Sequence, residues 1–236
     1  MIDWVNEMRG KIKLIVAIFV VLIIAVSGFG FLLQSGADEK SPPAIRVACV
    51  GDSITVGSNY PNYLWMLLGS DFVVGNFGVS SASVSLHSSK PYMNSSRFQK
   101  AIDFDPDVVI LMLGTNDANS ENQKFNASFV EDYMTLVDEF RGLSSKPSIL
   151  IVKPPPVFNN GTGINSDFFA TIVIPNLEDI ASEHNLQVID VYNSLLSHPE
   201  YFSYDGVHPN EQGAEAIAKI VYNALIDENN AAFCVS

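Results

Sequence analysis

A serine stands where a buried strand is predicted to end, and its neighbours suit a nucleophile. The apolar run over residues 47–50 is typical of a strand, and Gly51-Asp52-Ser53 follows it. In open α/β sheets, ligands bind at the loops that follow the carboxyl ends of strands. Because Gly51 and Gly57 permit a tight turn and a close approach of substrate, Ser53 is a candidate nucleophile. The alternative is that Asp52 and Ser53 only cap a following helix.

A candidate base lies near the carboxyl end of the chain. Asp205 and His208 are three residues apart, and Gly206 between them permits a turn. This spacing lets the carboxylate reach one ring nitrogen, while the other nitrogen can take a proton from a serine hydroxyl. One short loop could therefore supply a base and the group that orients it. The alternative is an ordinary turn followed by a surface histidine.

Two further predicted strand ends carry groups that could stabilise an oxyanion. Gly78 follows the apolar stretch 71–77, and its amide could point into a cleft shared with Ser53. Asn116 follows the apolar stretch 107–113, and its carboxamide is a donor of the kind found in oxyanion holes. Together with the serine and the histidine loop, these residues predict an acyl-transfer site.

Strands that alternate with helices must position these residues. The pattern predicts a parallel α/β sheet with helices on both of its faces. The continuous apolar run 107–113 is typical of a strand that is covered on both sides. The predicted strands are 47–50, 71–77, 107–113, 148–152 and 186–192, and the predicted helices are 60–68, 97–104, 125–141, 167–184 and 211–226.

Four sequence blocks resemble those of the SGNH hydrolase superfamily, also called GDSL-type esterases. In chain order they are Gly51-Asp52-Ser53-Ile54-Thr55, Asn76-x-Gly78, Gly114-Thr115-Asn116-Asp117 and Asp205-x-x-His208. The resemblance covers residues 45–228 and implies a three-layer α/β/α, flavodoxin-like fold with a five-stranded parallel sheet. Within the superfamily, residues 90–92, 154–158 and 205–210 resemble sialate O-acetylesterase-like and other carbohydrate acetylesterases.

The resemblance also implies a role for each site residue. Ser53 would be acylated, His208 would move its proton, and Asp205 would hold the imidazole. The backbone amides of Ser53 and Gly78 and the side chain of Asn116 would stabilise the oxyanion, with no metal and no organic cofactor. Relatives often carry a second glycine where this chain has Ser81, so we expect an altered loop beside the oxyanion hole.

The remaining polar candidates receive structural interpretations. His87, His184 and His198 lack the neighbours that a metal site needs, so we expect surface or packing roles. We expect Asp117 to stabilise its loop, and we assign Asp190 no catalytic role.

A long apolar segment precedes the domain. Residues 12–33 carry no charge after Lys13 and could cross about 30 Å of hydrocarbon as a helix. Basic residues come before this segment and acidic residues after it, which keeps residues 1–11 in the cytoplasm and sends the domain outside. We predict a single-pass anchor at 12–33, a linker at 34–43, a hydrolase domain at 44–229 and a tail at 230–236. The alternative is a signal sequence whose cleavage releases a secreted protein.

Charge and composition narrow the partners. The formal net charge is −13, and all of it belongs to the chain after residue 40. So acidic a domain argues against nucleic acid and against anionic lipid as partners. The chain has two cysteines, and we infer no disulfide, because Cys49 lies in a predicted strand. Three Asn-x-Ser/Thr triplets, at Asn94, Asn126 and Asn160, are compatible with glycosylation of an exported domain.

The leading hypothesis is a serine esterase outside the cytoplasm that removes small acyl groups, above all O-acetyl groups, from carbohydrates or similar small molecules. One alternative is a lipid acylhydrolase such as a lysophospholipase or thioesterase, which needs an apolar trough. The serine-rich stretch 79–85 is polar and favours small acyl groups. The other alternative is a silent glycan-binding or scaffold module, which would have no need of nucleophile, base and oxyanion donors together.

Overall fold

The predicted parallel sheet is present in the computed structural model, which describes residue 8 and residues 43–158 and 161–227. Its strands lie in the order β2-β1-β3-β4-β5, the flavodoxin-like order, and every neighbouring pair is parallel. The strands are β1 (Ile45–Gly51), β2 (Phe72–Gly78), β3 (Val108–Met112), β4 (Ser148–Lys153) and β5 (Gln187–Asp190).

Helices connect the strands and cover both faces of the sheet. Short 3-10 helices occur at Tyr92–Asn94, Asn116–Ala118, Gln123–Ser128 and Pro199–Tyr201. The α-helices are α1 (Ser53–Gly57), α2 (Tyr60–Leu68), α3 (Ser96–Asp103), α4 (Phe129–Arg141), α5 (Ser166–Phe168), α6 (Ile174–Glu183), α7 (Val191–Leu195) and α8 (Glu211–Ile226).

Two hydrophobic cores hold the three layers together. Successive residues of a strand point to opposite faces, so Val109 and Leu111 pack under α4 and α6, while Val108 and Ile110 pack under α2 and α8. All five residues of β3 are buried, as the continuous apolar run predicts. The carboxyl ends of β1 and β3 therefore have little freedom to move.

Three predicted elements change structure within their predicted ranges. The predicted strand 186–192 was too long, because the side chain of Asp190 accepts the N–H of Asn193 and starts α7 there. The predicted helix 125–141 begins as a 3-10 turn and becomes α-helical only at Phe129. A π-helical turn at Phe169–Val173 interrupts the predicted helix 167–184, just before Pro175, which cannot donate a backbone hydrogen bond.

Several predictions fall on residues that the structure does not describe. They are the anchor 12–33, almost all of the linker, the tail 230–236, the sequon at Asn160 and Cys234. Over the described ranges, no helix is both long enough and apolar enough to cross a bilayer. Of the other two sequons, Asn94 is exposed and Asn126 is half-buried, 3.5 Å from Asn176.

Cys49 is fully buried and unpaired in β1. Burial raises the pKa of its thiol to about 12, and a weaker hydrogen bond with Tyr60 opposes that shift. The residue therefore packs as a small apolar side chain, as the sequence suggested.

Gly51 and Gly57 have different structural roles, which substitution can separate. A Cβ at Gly51 would lie 2.0 Å from Thr55 Oγ1 and 2.7 Å from the Met112 carbonyl, whereas one at Gly57 would meet nothing within 4 Å. We expect Gly51→Ala to lower the free energy of unfolding by about 1–3 kcal/mol. Gly57→Ala should stay within about 0.5 kcal/mol of the wild type. Urea denaturation measures both, and equal stability of the two variants would contradict this account.

Candidate active site

The turn from β1 into α1 presents Ser53 at the edge of the sheet. Asp52 ends the turn as the N-cap of α1, and its Oδ1 accepts the N–H of Ile54 at 2.9 Å. Ser53 is the first residue of that helix and is partly exposed. Asp52 therefore caps the helix as one interpretation predicts, and Ser53 is accessible beside it, as the other interpretation requires.

The loop before α8 brings a histidine to this serine. His208 Nε2 lies 2.9 Å from Ser53 Oγ, and His208 Nδ1 lies 2.6 Å from Asp205 Oδ2. The other carboxylate oxygen of Asp205 accepts the backbone N–H groups of Val207 and His208, each at 2.9 Å. The carboxylate thus holds both the loop and the ring, and it leaves Nε2 facing the hydroxyl.

Asp205 remains ionised in this arrangement. Partial burial raises the pKa of its carboxyl, but hydrogen bonds from the His208 backbone, the His208 ring and the Val207 backbone outweigh that effect. The net result is a pKa below the usual aspartate value. An ionised carboxylate stabilises the imidazolium that forms when His208 takes a proton.

Asn116 lies beside the serine on the loop that follows β3. Its Nδ2 donates to Asp52 Oδ2 at 3.2 Å and to the Ala82 carbonyl at 2.9 Å. The backbone carbonyl of Asn116 accepts a bond from Asn122 Nδ2 at 2.8 Å. Sequence reasoning missed the contact with Asp52, because 64 residues separate the two along the chain.

The structure corrects the prediction for Gly78. Its N–H donates to Asn76 Oδ1 at 3.0 Å, and Asn76 Nδ2 donates onward to the Thr55 carbonyl at 2.9 Å. Gly78 is buried, and a Cβ there would lie 2.4 Å from the Val56 nitrogen. This glycine lets β2 pack closely against α1, and its amide is not free to bind a substrate oxygen.

Ser81 takes the place at the cavity that was predicted for Gly78. It is exposed, lies in the turn after β2 and has a φ of 61°, a value that favours glycine. Its backbone N–H has no hydrogen-bond partner among the residues that the structure describes. The sequence offered a signal for this role of Ser81, because the resemblance implies a glycine at this position and glycine adopts a positive φ without strain.

Two buried carboxylates support the loops around the site. Asp117 accepts the N–H groups of Val84 and Ser85, each at 3.0 Å, and so stabilises the loop after β2. Burial raises the pKa of Asp117 to about 6, and it raises the pKa of Asp52 to about 6 as well. In both cases hydrogen bonds from backbone N–H groups oppose the shift.

The remaining candidate residues lie elsewhere. Asp190 caps α7 and pairs at 2.6 Å with the buried Lys153, which also contacts Glu178 at 2.7 Å. His198 pairs with Glu200 at 2.9 Å, whereas His87 and His184 are exposed. In the part of the chain that the structure covers, no three His, Cys, Asp or Glu side chains are grouped as a metal site would require.

Ser53, Asn116 and His208 open into a cavity of about 430 Å³. Polar side chains from the loops after β1, β2, β3 and β4 and from the loop before α8 make up most of its wall, and the apolar residues Ile164 and Val207 contribute the rest. The polar lining residues include Ser80, Ser81, Ser89, Asn119, Glu121 and Asn122. The chemistry available is therefore an activated hydroxyl beside a pocket rich in hydroxyl and amide groups.

Comparison with known proteins gives one family and several relatives. Residues 49–216 match the family described as GDSL-like Lipase/Acylhydrolase. An acetylxylan esterase of Xylanibacter ruminicola is 34% identical over 238 residues, which cover 84% of this chain and 50% of that protein. The chain thus spans about half the length of this curated relative.

Solved structures share the fold at lower identity. A lipase/acylhydrolase from Enterococcus faecalis superposes with a TM-score of 0.63 at 21% identity, covering 77% of this chain and 95% of that one. A carbohydrate acetylesterase family member from Sinorhizobium meliloti gives a TM-score of 0.58 at 20% identity, covering 77% and 97%. Both show the three-layer α/β/α architecture that the resemblance implied.

The contact between Asp52 and Asn116 leads to a prediction about turnover. In Asp52→Asn the side chain keeps one oxygen for two donors, the Ile54 N–H and Asn116 Nδ2. Asn116 should then lose its hydrogen bond to residue 52, and its carboxamide should lose its position. We expect kcat for p-nitrophenyl acetate to fall about 10- to 100-fold, less than the 10²–10³ for loss of a whole oxyanion donor. KM should change little.

Asp190→Asn is the matched control, since Asp190 also caps a five-residue helix but lies outside the cavity. It should keep the wild-type kcat. A folded Asp52→Asn variant with normal kcat would show that Asn116 does not depend on Asp52.

Proposed function

The chain belongs to the GDSL-like lipase/acylhydrolase family, and we propose that it is a carboxylic-ester hydrolase that removes acetyl groups from carbohydrates. The strongest support is the hydrogen-bonded series Asp205–His208–Ser53, which opens into a polar cavity. The acetylxylan esterase at 34% identity supports the same substrate class.

The contacts suggest how the ester bond is broken. His208 Nε2 takes the proton of the Ser53 hydroxyl while Oγ attacks the ester carbonyl, and a tetrahedral oxyanion forms. The imidazolium gives that proton to the sugar oxygen as its bond to the acyl carbon breaks, so the sugar leaves as an alcohol and Ser53 is left acetylated. Water then attacks the acetyl-serine with His208 again as the base, which releases acetate and restores the hydroxyl.

Three donors are assigned to the oxyanion. Ser53 supplies the first N–H of α1, a group that has no partner within a helix. Asn116 Nδ2 is the second donor. The N–H that makes its longer bond, 3.2 Å to Asp52 Oδ2, would also donate to the oxyanion. The backbone N–H of Ser81 is the third donor, in place of the Gly78 amide that is engaged by Asn76.

The cavity wall favours a small acyl group on a polar alcohol. Hydroxyl and amide side chains can exchange hydrogen bonds with sugar hydroxyls, whereas a long acyl chain needs an apolar surface to leave water. Among the described lining residues, Ile164 and Val207 are the aliphatic ones. Two such side chains offer too little apolar area for a fatty acyl chain.

We also propose that the hydrolase lies outside the cytoplasm, held by a membrane anchor at residues 12–33. Its support is the apolar sequence of that segment and the basic residues that precede it. A domain with a net charge of −13 fits a role away from nucleic acid and anionic lipid.

Ester hydrolysis by the full chain tests the function directly. We expect acetyl esters of p-nitrophenol to be cleaved faster than butyryl esters, and octanoyl esters slowest. Ser53→Ala and His208→Ala should each lower kcat by about 10⁴-fold or more, because the two residues act as a unit.

Three outcomes would contradict this assignment. Fastest cleavage of the octanoyl ester would favour a lipid acylhydrolase, and unchanged turnover in Ser53→Ala would overturn the mechanism. A wild type that is silent on acetylated sugars as well as on model esters would favour a glycan-binding module.

The assignment of the Ser81 amide can be tested one atom at a time. Replacing Ser81 with the matching α-hydroxy acid removes its N–H but keeps its side chain. We expect about a 10²–10³ loss in kcat, the usual cost of removing one oxyanion donor.

The same backbone ester at position 78 is the control. It should lower stability through loss of the bond to Asn76 but leave kcat within a few-fold of the wild type. The reverse pattern, with the large loss at position 78, would restore Gly78 as the donor.

A further inference from the structure

The cavity holds an unusual balance of charge. Apart from His208, Glu121 is the one ionisable side chain among the described residues that line it, and the lining includes no lysine or arginine. Carboxylates of sugars are normally bound by arginine or lysine, often through paired hydrogen bonds. A sugar that carries a carboxylate would therefore find no cation in this wall, and it would meet a negative charge.

Glu121 lies at the cavity on a loop that several hydrogen bonds stabilise. Its backbone N–H donates to Asn119 Oδ1 at 3.1 Å, and Gln123 Nε2 donates to the Ala118 carbonyl at 3.0 Å. Asn122, the next residue, donates to the Asn116 carbonyl at 2.8 Å. The loop that bears Glu121 is therefore tied to the loop residue beside the nucleophile.

The carboxylate of Glu121 is exposed to solvent. Within the described ranges it takes part in no ion pair, and the nearby Lys124 instead lies 4.9 Å from the centre of the Phe125 ring. Lys90 follows the lining residue Ser89 but does not itself line the cavity. The domain's net charge of −13 adds to the repulsion of an anion.

We infer that Glu121 makes the enzyme favour acetylated sugars without charge over acetylated sugars that carry a carboxylate. This inference rests on the proposed carbohydrate acetylesterase function. The hydroxyl and amide groups of Ser80, Ser89, Asn119 and Asn122 offer both donors and acceptors, which match the hydroxyls of a neutral sugar. Neutral pyranosides are thus the substrate class, and uronates and sialates are disfavoured.

A matched pair of substrates tests the selectivity. Methyl glucoside and methyl glucuronoside, each with one acetyl group at the same hydroxyl, differ by a single carboxylate. We expect the full-length wild type to favour the neutral sugar in kcat/KM by about tenfold, the ratio that corresponds to 1.4 kcal/mol. Raising the salt concentration should narrow that ratio, because the Glu121 carboxylate is exposed to screening.

Substitutions identify the residue responsible. Glu121→Gln should bring the ratio of the two kcat/KM values close to one, and Glu121→Lys should reverse it. Glu131→Lys is the control, because Glu131 is an exposed residue of α4 outside the cavity and the change in net charge is the same. It should leave the ratio at the wild-type value.

The outcomes separate this inference from the function on which it rests. If both sugars are hydrolysed equally by the wild type, or if Glu131→Lys shifts the ratio as much as Glu121→Lys, the role of Glu121 is refuted while the acetylesterase stands. If neither sugar is hydrolysed although p-nitrophenyl acetate is, the carbohydrate function fails and the selectivity fails with it.

Discussion

The hydrogen bonds of one carboxamide join the loops that follow the first three strands. Asp52 comes after β1, Ala82 after β2 and Asn116 after β3, and Asn116 Nδ2 donates to both of the others. Burying Asp52 is costly, as its raised pKa reflects, and the bonds that it accepts from Ile54 and Asn116 offset part of that cost. The geometry around Ser53 depends on this junction.

The junction is effective because the sheet beneath it is rigid. β1 pairs with both β2 and β3, and the residues of β3 are buried on both faces. From β1 the chain continues to β2 on one side of the sheet, whereas β3, β4 and β5 follow on the other side. The connections that leave β1 and β3 therefore run in opposite directions, and a crevice forms between them at the end of the sheet. The packing therefore determines where a cavity can form, and the polar loops determine what it can bind.

Local patterns were sufficient for some features and not for others. Ser53 follows from a strand that ends in small residues, and the pair Asp205 and His208 follows from a three-residue spacing, because each depends on neighbours in sequence. The oxyanion amide was assigned to Gly78 on residue type, although the buried contact with Asn76 engages it and Ser81 reaches the cavity.

Such differences arise from contacts that sequence spacing does not encode. The turn after β2 takes its shape from Asp117, which lies more than thirty positions further along the chain.

The distance in sequence between Ser53 and His208 has a consequence of its own, since 155 positions separate the proposed nucleophile from the proposed base. Ser53 is synthesised well before His208, and the loop that carries His208 leads into α8, the last helix of the described residues, which packs against α2. Under the proposed mechanism a nascent or truncated chain is inert towards esters, so completion of folding is what switches the hydrolase on.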